Sequence, residues 1–583
     1  MFLVTTADKR CLIHDNNELL LLGEWCDIYD KKHQFSNNNH KIMPYPWASS
    51  ANKKSDFIDI QYLYGRMLGY LKDYLNQVHN VKETEAYWEL IIGAWLQLAV
   101  AIIYERYRCL IDATSNYSIS NTLIFHPKES VEPANDYSDF SEKYIDDEWN
   151  LYLYSKIIEF TNMCPFTYIE GPIAKSPTVV EPSKKLGLRQ AIKNIIRKTS
   201  GLVPEKYTQI YFSNSYFSTA QLIKLQFRLK QVPVLFSPFV EIKNITADWE
   251  MRKEILVSED NQVLKIMAKL IPLLLPKSYL ESFIELKTSA MLSFPKSVKL
   301  INTAISDIFD DGFKVWAAEQ RKWGVPLLIN QHGGCYGASE LTQAEIFQTK
   351  IATKFYSWGW SDSEKVLPMP APKLVDLTLK KYDPQGHILL ILFNHSRYSY
   401  WAQSFPIAEQ MREYFQEQLI FLENLSKSTS QYLKIRYYPK DFGWCVEKRF
   451  SDAGYAEMKD SSATLNEAMD KARLCIATYN ATTFLETLSA NMPTVIFWKT
   501  NHFPLRSSAF KWYEKLKSVG ILHDSAISAA EKVNEISDAP NEWWEQPDVQ
   551  KAKNEFCDHY AMKDDDWLES WATELNSMVY SDK

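Results

Sequence analysis

The sequence predicts an α/β protein in which the strands of parallel sheets alternate with helices, arranged as two domains and a closing tail. Three observations carry the prediction. At 583 residues the chain is longer than one hydrophobic core organises, so two domains of roughly 200 to 350 residues are expected. Continuous apolar runs such as His387-Ile-Leu-Leu-Ile-Leu-Phe393 have the composition of strands buried on both faces of a parallel sheet. Pro368, Pro370, Pro372 and Pro384 crowd one short stretch, and proline interrupts regular structure and stiffens a connection.

In chain order, Met1-Phe-Leu-Val-Thr-Thr-Ala-Asp8 lacks a basic segment followed by a long apolar one, and reads as a first strand rather than a secretion signal. A second strand and turn end in Leu22-Gly-Glu-Trp25. Helical periodicity dominates from about 57 to 112. Inside it, the apolar run 90–104 falls short of the roughly 30 Å of a bilayer core at 1.5 Å per residue, so a buried helix is expected. The stretch 113–150, rich in Asn, Ser and Asp, is expected to loop over the surface. Strand and helix alternate again from Tyr207: strands at 209–212, 233–236, 299–302 and 325–330, and helices at 219–230 and 311–323. Residues 1–365 thus read as one α/β domain with a helical insertion, and 366–386 as the Pro-rich linker. A second α/β domain follows at 387–540. The tail 541–583 carries Trp543, Trp544, Trp567 and Trp571 and is expected to be helical and to pack back on both domains.

A net charge of −7 argues against nucleic acid as a partner, because neutralising phosphates needs a dominant basic face. The eight cysteines are scattered without a Cys-x-x-Cys pair, so neither a zinc site nor a disulfide framework is indicated, and a reducing cytoplasm fits best. Asp564-Asp-Asp566 reads as a solvated charge run rather than a metal site. Neither a metal nor a cofactor is expected. From Leu186 to Lys198, four apolar residues on one helical face are surrounded by Lys and Arg; such a helix is either an ordinary exposed one or a contact to an anionic membrane surface.

The most informative motif runs from Leu474 to Trp498: a short strand, the turn Thr478-Tyr-Asn-Ala481, a helix and a second strand. It places the hydroxyls of Thr482 and Thr483, with Asn480 beside them, at a helix N-terminus, where unpaired N–H groups and the helix dipole stabilise a phosphate; the alternative is a Thr N-cap in an ordinary αβ repeat. Glu486, one turn on, reaches a ribose. Two further loops follow strands of the same domain. Asn394-His-Ser-Arg397 offers Asn394, Ser396 and the planar fork of Arg397; Tyr438-Pro-Lys440 offers Tyr438 and the point charge of Lys440. In the first domain, Asn330-Gln-His-Gly-Gly-Cys-Tyr-Gly337 directly follows a strand. Gly333 and Gly334 let the backbone approach a ligand closely, Gln331 and Tyr336 line the cleft, and His332 handles a proton near neutral pH, the alternative being a structural turn with a hydrogen-bonded histidine. Asp8 and Glu24 are carboxylates expected at the same cleft, as a general base or as turn caps.

Together these features look like a GT-B glycosyltransferase, two Rossmann-like domains facing a cleft with a C-terminal helix crossing between them. Thr5-Thr-Ala-Asp8, Leu22-Gly-Glu-Trp25, Trp88 with Gly93 and Trp95, Gln331-His-Gly-Gly334, Ser357-Trp-Gly-Trp360, Tyr438-Pro439 with Gly443-Trp444, and Thr482-Thr-Phe-Leu-Glu486 further resemble a family of bacterial transferases encoded in surface-polysaccharide loci. The second domain is more distantly similar to capsule enzymes that use CMP-activated Kdo and to bacterial sialyltransferases, with Tyr438-Pro439 where those carry His-Pro. The resemblance implies a metal-independent transferase that moves a CMP-linked ulosonic acid, such as pseudaminic acid or Kdo, to a lipid-linked oligosaccharide at the cytoplasmic face of the membrane. A UDP- or GDP-hexose donor and a non-catalytic binding protein are the alternatives. In the implied roles, Arg397, Lys440, Thr482 and Thr483 meet the donor phosphate, Glu486 the ribose, and His332 with Asp8 or Glu24 the acceptor hydroxyl.

Overall fold

The computed structural model describes residues 1–11, 18–31, 39–128, 130–171, 208–235, 245–377 and 382–580, with 238, 240 and 242. The basic segment from Leu186 to Lys198 lies outside them, as does Phe236 of an expected strand, and 231–235 form no strand. The α/β class holds and the fold is GT-B-like, with three parallel five-stranded sheets among the described residues where two were expected. The first has the order β3-β2-β1-β4-β5, from β1 (Phe2–Val4), β2 (Leu19–Leu21), β3 (His40–Ile42), β4 (Asn121–Phe125) and β5 (Thr167–Ile169). The middle sheet has the order β10-β9-β8-β7-β6, from β6 (Ile210–Ser213), β7 (Leu300–Thr303), β8 (Leu327–Asn330), β9 (Lys354–Ser357) and β10 (Val366–Pro368). The third has the order β12-β11-β13-β14-β15, from β11 (His387–Ile391), β12 (Leu433–Arg436), β13 (Ala472–Ala477), β14 (Thr494–Phe497) and β15 (Leu522–His523).

Residues 1–365 therefore hold the first sheet and nearly all of the middle one. The polar stretch 113–150 hid the division. It contains β4, and two of its aspartates are helix caps rather than loop residues: Asp136 accepts from Asp139 N–H at 2.8 Å and Asp146 from Trp149 N–H at 3.0 Å, starting the helices Tyr137–Lys143 and Asp147–Thr161. The Pro-rich stretch also begins inside the middle sheet, because Val366–Pro368 pairs with Phe355–Ser357; Pro368, last in an edge strand, breaks no ladder.

The apolar run at 90–104 belongs to a longer helix, Glu85–Asn116, whose N-cap Thr84 accepts from Tyr87 N–H. By length and composition it could cross a membrane, yet 94% of its most apolar window is buried inside the protein, so it is a core helix. Gly93 is required there. A Cβ at that position would come within 2.6 Å of the Phe347 ring and 2.8 Å of the Tyr64 hydroxyl.

The last helix, Trp567–Tyr580, packs on the middle sheet. Trp571 is fully buried against Phe217 and Tyr356, and its indole N–H donates to the Pro370 carbonyl at 2.9 Å. Glu574 receives Lys354 and the Tyr356 hydroxyl at 3.0 and 2.9 Å. The helix before it, Pro547–Tyr560, packs on the third-sheet side, where Phe556 and Tyr560 meet Tyr513. The tail thus ties the middle sheet to the third.

Candidate functional site

In a parallel sheet with helices on both faces, ligands collect at the carboxyl ends of the strands where the strand order reverses. The third sheet reverses between β11 and β13, so the loops after those two strands define its crevice. The turn after β13 feeds the helix Thr482–Ser489, whose N-cap is Ala481. Alanine has no side-chain acceptor, so this N-terminus keeps uncapped N–H groups. Here the loop after β8 arrives. Gly334 N–H donates to Thr482 Oγ1 at 3.2 Å, and a Cβ on Gly334 would lie 2.5 Å from Thr482 N and 2.6 Å from the Ala481 carbonyl carbon. Glycine is thus what lets the middle sheet touch the third at the turn before the helix Thr482–Ser489.

The residues around this contact divide into organisers and exposed chemistry. Gln331, expected to line the cleft, is an organiser. It is fully buried; its amide nitrogen donates to the Gly333 carbonyl, and its oxygen accepts from Trp358 N–H at 2.9 Å and the Trp360 indole at 2.8 Å. Tyr336 is likewise buried, with its hydroxyl on Gln348 at 3.1 Å and its ring beneath Gly333. These two do not line an open cleft, because hydrogen bonds to the protein consume their polar atoms. His332 sits between Tyr216 and Tyr336, which meet it edge-on at centroid distances of 6.2 and 5.3 Å. Its buried Nδ1 has no hydrogen-bond partner. Burial lowers its pKa to about 4, against the opposing pull of Gln348 and the Ala304 carbonyl, so the imidazole is neutral at physiological pH and can accept a proton. Beyond Gln348 lies Asp307, which accepts its amide at 2.8 Å and is pushed up to about 7 by burial.

On the third-sheet side, Thr483 Oγ1 bonds the Tyr479 hydroxyl at 2.5 Å, and Asn480 is held between Ser339 and the Tyr513 hydroxyl. Glu486 pairs with Lys373 at 2.9 Å. The ribose role assigned to Glu486 therefore competes with a cation that the sequence did not single out, Lys373 of the Pro-rich stretch.

The remaining charged candidates stand at a different seam, between the first and third sheets. Arg397 is not a free fork for phosphate: it donates to the Trp25 carbonyl and to both carboxylate oxygens of Asp147, at 3.2 and 3.0 Å. Gly443, at φ +87°, gives it room, since a Cβ there would lie 2.4 Å from Nε. Lys440 pairs with Glu142 at 2.7 Å, while its carbonyl accepts from Asn394 at 3.1 Å. Ser396 Oγ accepts from Tyr398 N–H, and Tyr438 stays largely exposed beside Phe393. Asp8 does not serve as an available base. Burial would raise its pKa, but the Arg10 fork, at 2.8 and 2.7 Å, and the nearby charges hold it below the ordinary carboxylate value. Glu24 is ion-paired to Arg412, which also reaches Asp27. All four charges sit after a strand end as predicted, and each already has a partner: Arg397, Lys440 and Glu24 meet Asp147, Glu142 and Arg412 across the seam, and Asp8 meets Arg10 two residues on in its own loop.

Sequence reading passed over His395. It is buried in a box of rings, with centroids 4.7 Å from Tyr400, 4.5 Å from Phe405 and 6.1 Å from Phe393, and neither ring nitrogen has a partner. Burial pushes its pKa down to about 3, the Ser396 backbone opposing. Its place directly after β11 was the available signal.

A parallel α/β architecture, a glycine-mediated contact at an uncapped helix N-terminus and a neutral imidazole in the contacting loop suit group transfer from a phosphorylated donor. The sequence model of the LIC12162 family transferase matches residues 1–575. The chain belongs to this family. As a LIC12162 family transferase it is read as an enzyme, and the match runs through all three sheets, the first included. No curated protein matches the chain. Among the described residues of this LIC12162 family transferase, no three His, Cys, Asp or Glu side chains are grouped so as to hold a metal ion.

Proposed function

We propose that this transferase is a glycosyltransferase that moves a CMP-activated ulosonic acid to a surface-polysaccharide acceptor carried on lipid, on the cytoplasmic side of the membrane. The observation that carries the reading is the contact of Gly334 with Thr482, which puts the His332 loop against an uncapped helix N-terminus. In this reading the donor phosphate takes the N–H groups of the helix Thr482–Ser489 and the hydroxyls of Thr482 and Thr483, where the helix dipole stabilises the charge that builds as the nucleotide leaves. Glu486 holds the ribose once Lys373 turns to the phosphate. His332 takes the proton of the acceptor hydroxyl while that oxygen attacks the anomeric carbon and the bond from that carbon to the phosphate oxygen breaks. An imidazole of pKa about 4 is a weak base by itself; the dianion of a bound donor would raise it toward the working pH. The reading assigns no role to a metal.

The test is a thermal-shift panel with CMP, CDP, UMP, UDP and GDP at equal concentration, because a ligand bound only by the folded state adds RT ln(1 + [L]/Kd) to stability. A shift confined to the cytidine nucleotides supports the ulosonic-acid donor. A shift with UDP or GDP moves the assignment to a hexose donor, and no shift with any of them removes the nucleotide reading.

A further inference from the structure

The middle sheet has an open cavity of its own, about 270 Å³, at the carboxyl end of β6. Asn214, Ser215, Tyr216, Phe217, Thr219 and Ile305 form much of its wall, and among the described residues no charged side chain lines it. Two of these residues are in the left-handed region without being glycine: Asn214 at φ +44° and Tyr216 at φ +69°. Asparagine tolerates that conformation, but for a bulky residue such as tyrosine it is an outlier that persists only where the surroundings enforce it.

The enforcement is visible. Asn330 donates to the Ser215 carbonyl at 3.0 Å, Asn214 donates its amide to Ser306 Oγ at 2.9 Å, and Ala304 N–H donates to the Asn214 carbonyl at 3.1 Å. The strained turn aims Tyr216 at two things, the cavity it lines and the edge of the His332 ring.

We infer that this cavity is the subsite for one uncharged sugar ring of the acceptor, with Tyr216 as the wall between that ring and His332. The inference rests on the transferase reading above and names the part of the acceptor that the site selects. Aromatic and aliphatic walls suit the C–H faces of a sugar, and the amide and hydroxyls of Asn214, Ser215 and Thr219 suit its hydroxyl groups. An anion is disfavoured. The neighbouring helix Thr219–Arg228 is closed by a reciprocal cap in which Ser218 Oγ accepts from Gln221 N–H and the Gln221 side chain accepts from Ser218 N–H. The Ser218 hydroxyl also donates to Asp376 at 2.9 Å, which puts a negative charge beside this capped N-terminus. Among the described residues a nucleotide phosphate or an acidic sugar finds no cation and no uncapped helix N-terminus here, in contrast to the turn at Thr482.

The experiment uses the full chain and saturation-transfer NMR with glucose, galactose and N-acetylglucosamine as neutral probes and glucuronate as the charged one, beside the CMP thermal shift. The expected result is binding of at least one neutral sugar, with glucuronate at least tenfold weaker than that sugar. Tyr216→Gly, which removes the ring and relieves the positive φ, and Thr219→Trp, which fills the mouth from an exposed position, should each weaken the neutral sugar at least tenfold and leave the CMP shift unchanged. The inference is overturned if no neutral probe binds, if glucuronate binds as well, or if neither variant weakens binding. A CMP shift lost in Thr219→Trp would assign the cavity to the nucleotide and overturn it too. Because CMP is read separately, a chain that binds neutral sugar but no nucleotide would refute the donor reading and leave the subsite standing.

Discussion

Replacing His395 by phenylalanine should stabilise the protein, and stabilise it more in acid. At pH 7 the neutral imidazole buries one N–H donor and one acceptor, neither with a partner. A buried unsatisfied group costs about 1–3 kcal/mol, and a phenyl ring fits the same box of Phe393, Tyr400 and Phe405, so His395→Phe should gain about 2 kcal/mol. The folded pKa of about 3 lies below the ordinary value of 6.5. Below pH 6.5 the unfolded chain therefore binds a proton that the folded one refuses. Wild-type stability from this group is complete above 6.5 and is lost as pH falls toward 3. At pH 5, 1.5 units below 6.5, the loss is about 2 kcal/mol, and phenylalanine has no such loss. Asp307, Asp310 and Glu409, whose pKa values burial raises, act in the opposite direction but equally on both proteins, so they cancel in the difference. Scanning calorimetry reads the result. With an unfolding entropy of about 2.1 cal/mol/K per residue, a chain of 583 residues melting as one unit converts gaps of about 2 and 4 kcal/mol into roughly 2 and 3 °C. A variant that melts lower at pH 7, or a gap that does not widen at pH 5, would refute the claim that these nitrogens are unpartnered.

The site makes three further predictions. His332→Gln should lower kcat by about 10²–10⁴-fold with the donor KM little changed, as loss of a base requires; a change in KM alone would reassign the residue to binding. Gly334→Ala must push its new Cβ into the backbone of Ala481 and Thr482, so a loss of about 1–3 kcal/mol in calorimetric stability is expected together with loss of transfer, and an unchanged melt would mean that the two loops do not touch in solution. Glu486→Ala should weaken donor binding about tenfold, roughly 1.4 kcal/mol, measured by titration calorimetry with the nucleotide; equal affinity would remove the ribose role.

What the sequence made legible was local. β11, β13, β14 and the helix Thr482–Ser489 follow from runs such as Leu474-Cys-Ile-Ala477 and from the turn that separates them, because a strand buried on both faces has few compositional alternatives. The contact of the loop Gln331 to Gly334 with that helix joins residues 148 positions apart, and its only trace in the sequence is the pair of glycines that permits it. The division of 1–365 into two sheets was hidden for a different reason. β4 and the helices after it lie in a stretch whose aspartates and asparagines look like loop residues, and only the geometry separates a capping Asp136 from a turn Asp. The fates of Asp8, Glu24, Arg397 and Lys440 were illegible for a third reason. A charge at a strand end looks the same whether it awaits a ligand or meets Arg10, Arg412, Asp147 or Glu142.

That last ambiguity separates the two seams by chemistry. The first and third sheets are joined by charge. Arg397 is almost wholly buried with Asp147 as its counterion, and breaking such a pair costs several kcal/mol because the buried partner is left unpaired. The seam between the middle and third sheets also holds an ion pair, Arg506 with Glu345 at 2.7 Å, but at the turn itself the contacts are neutral hydrogen bonds, Gly334 N–H to Thr482 Oγ1 at 3.2 Å and Asn480 to Ser339 at 3.4 Å, each worth about 1 kcal/mol net. A phosphate that displaced the first of these bonds would gain the Gly334 N–H from one sheet and the Thr482 hydroxyl from the other, each now donating to the anion, in addition to the helix N–H groups. The neutral bond between the two loops is thus exchanged for charge-assisted ones, and the donor would add to the contacts that already hold the two sheets together. On this argument the first sheet is a fixed brace, and the seam that answers to ligand is the one between Gly334 and Thr482.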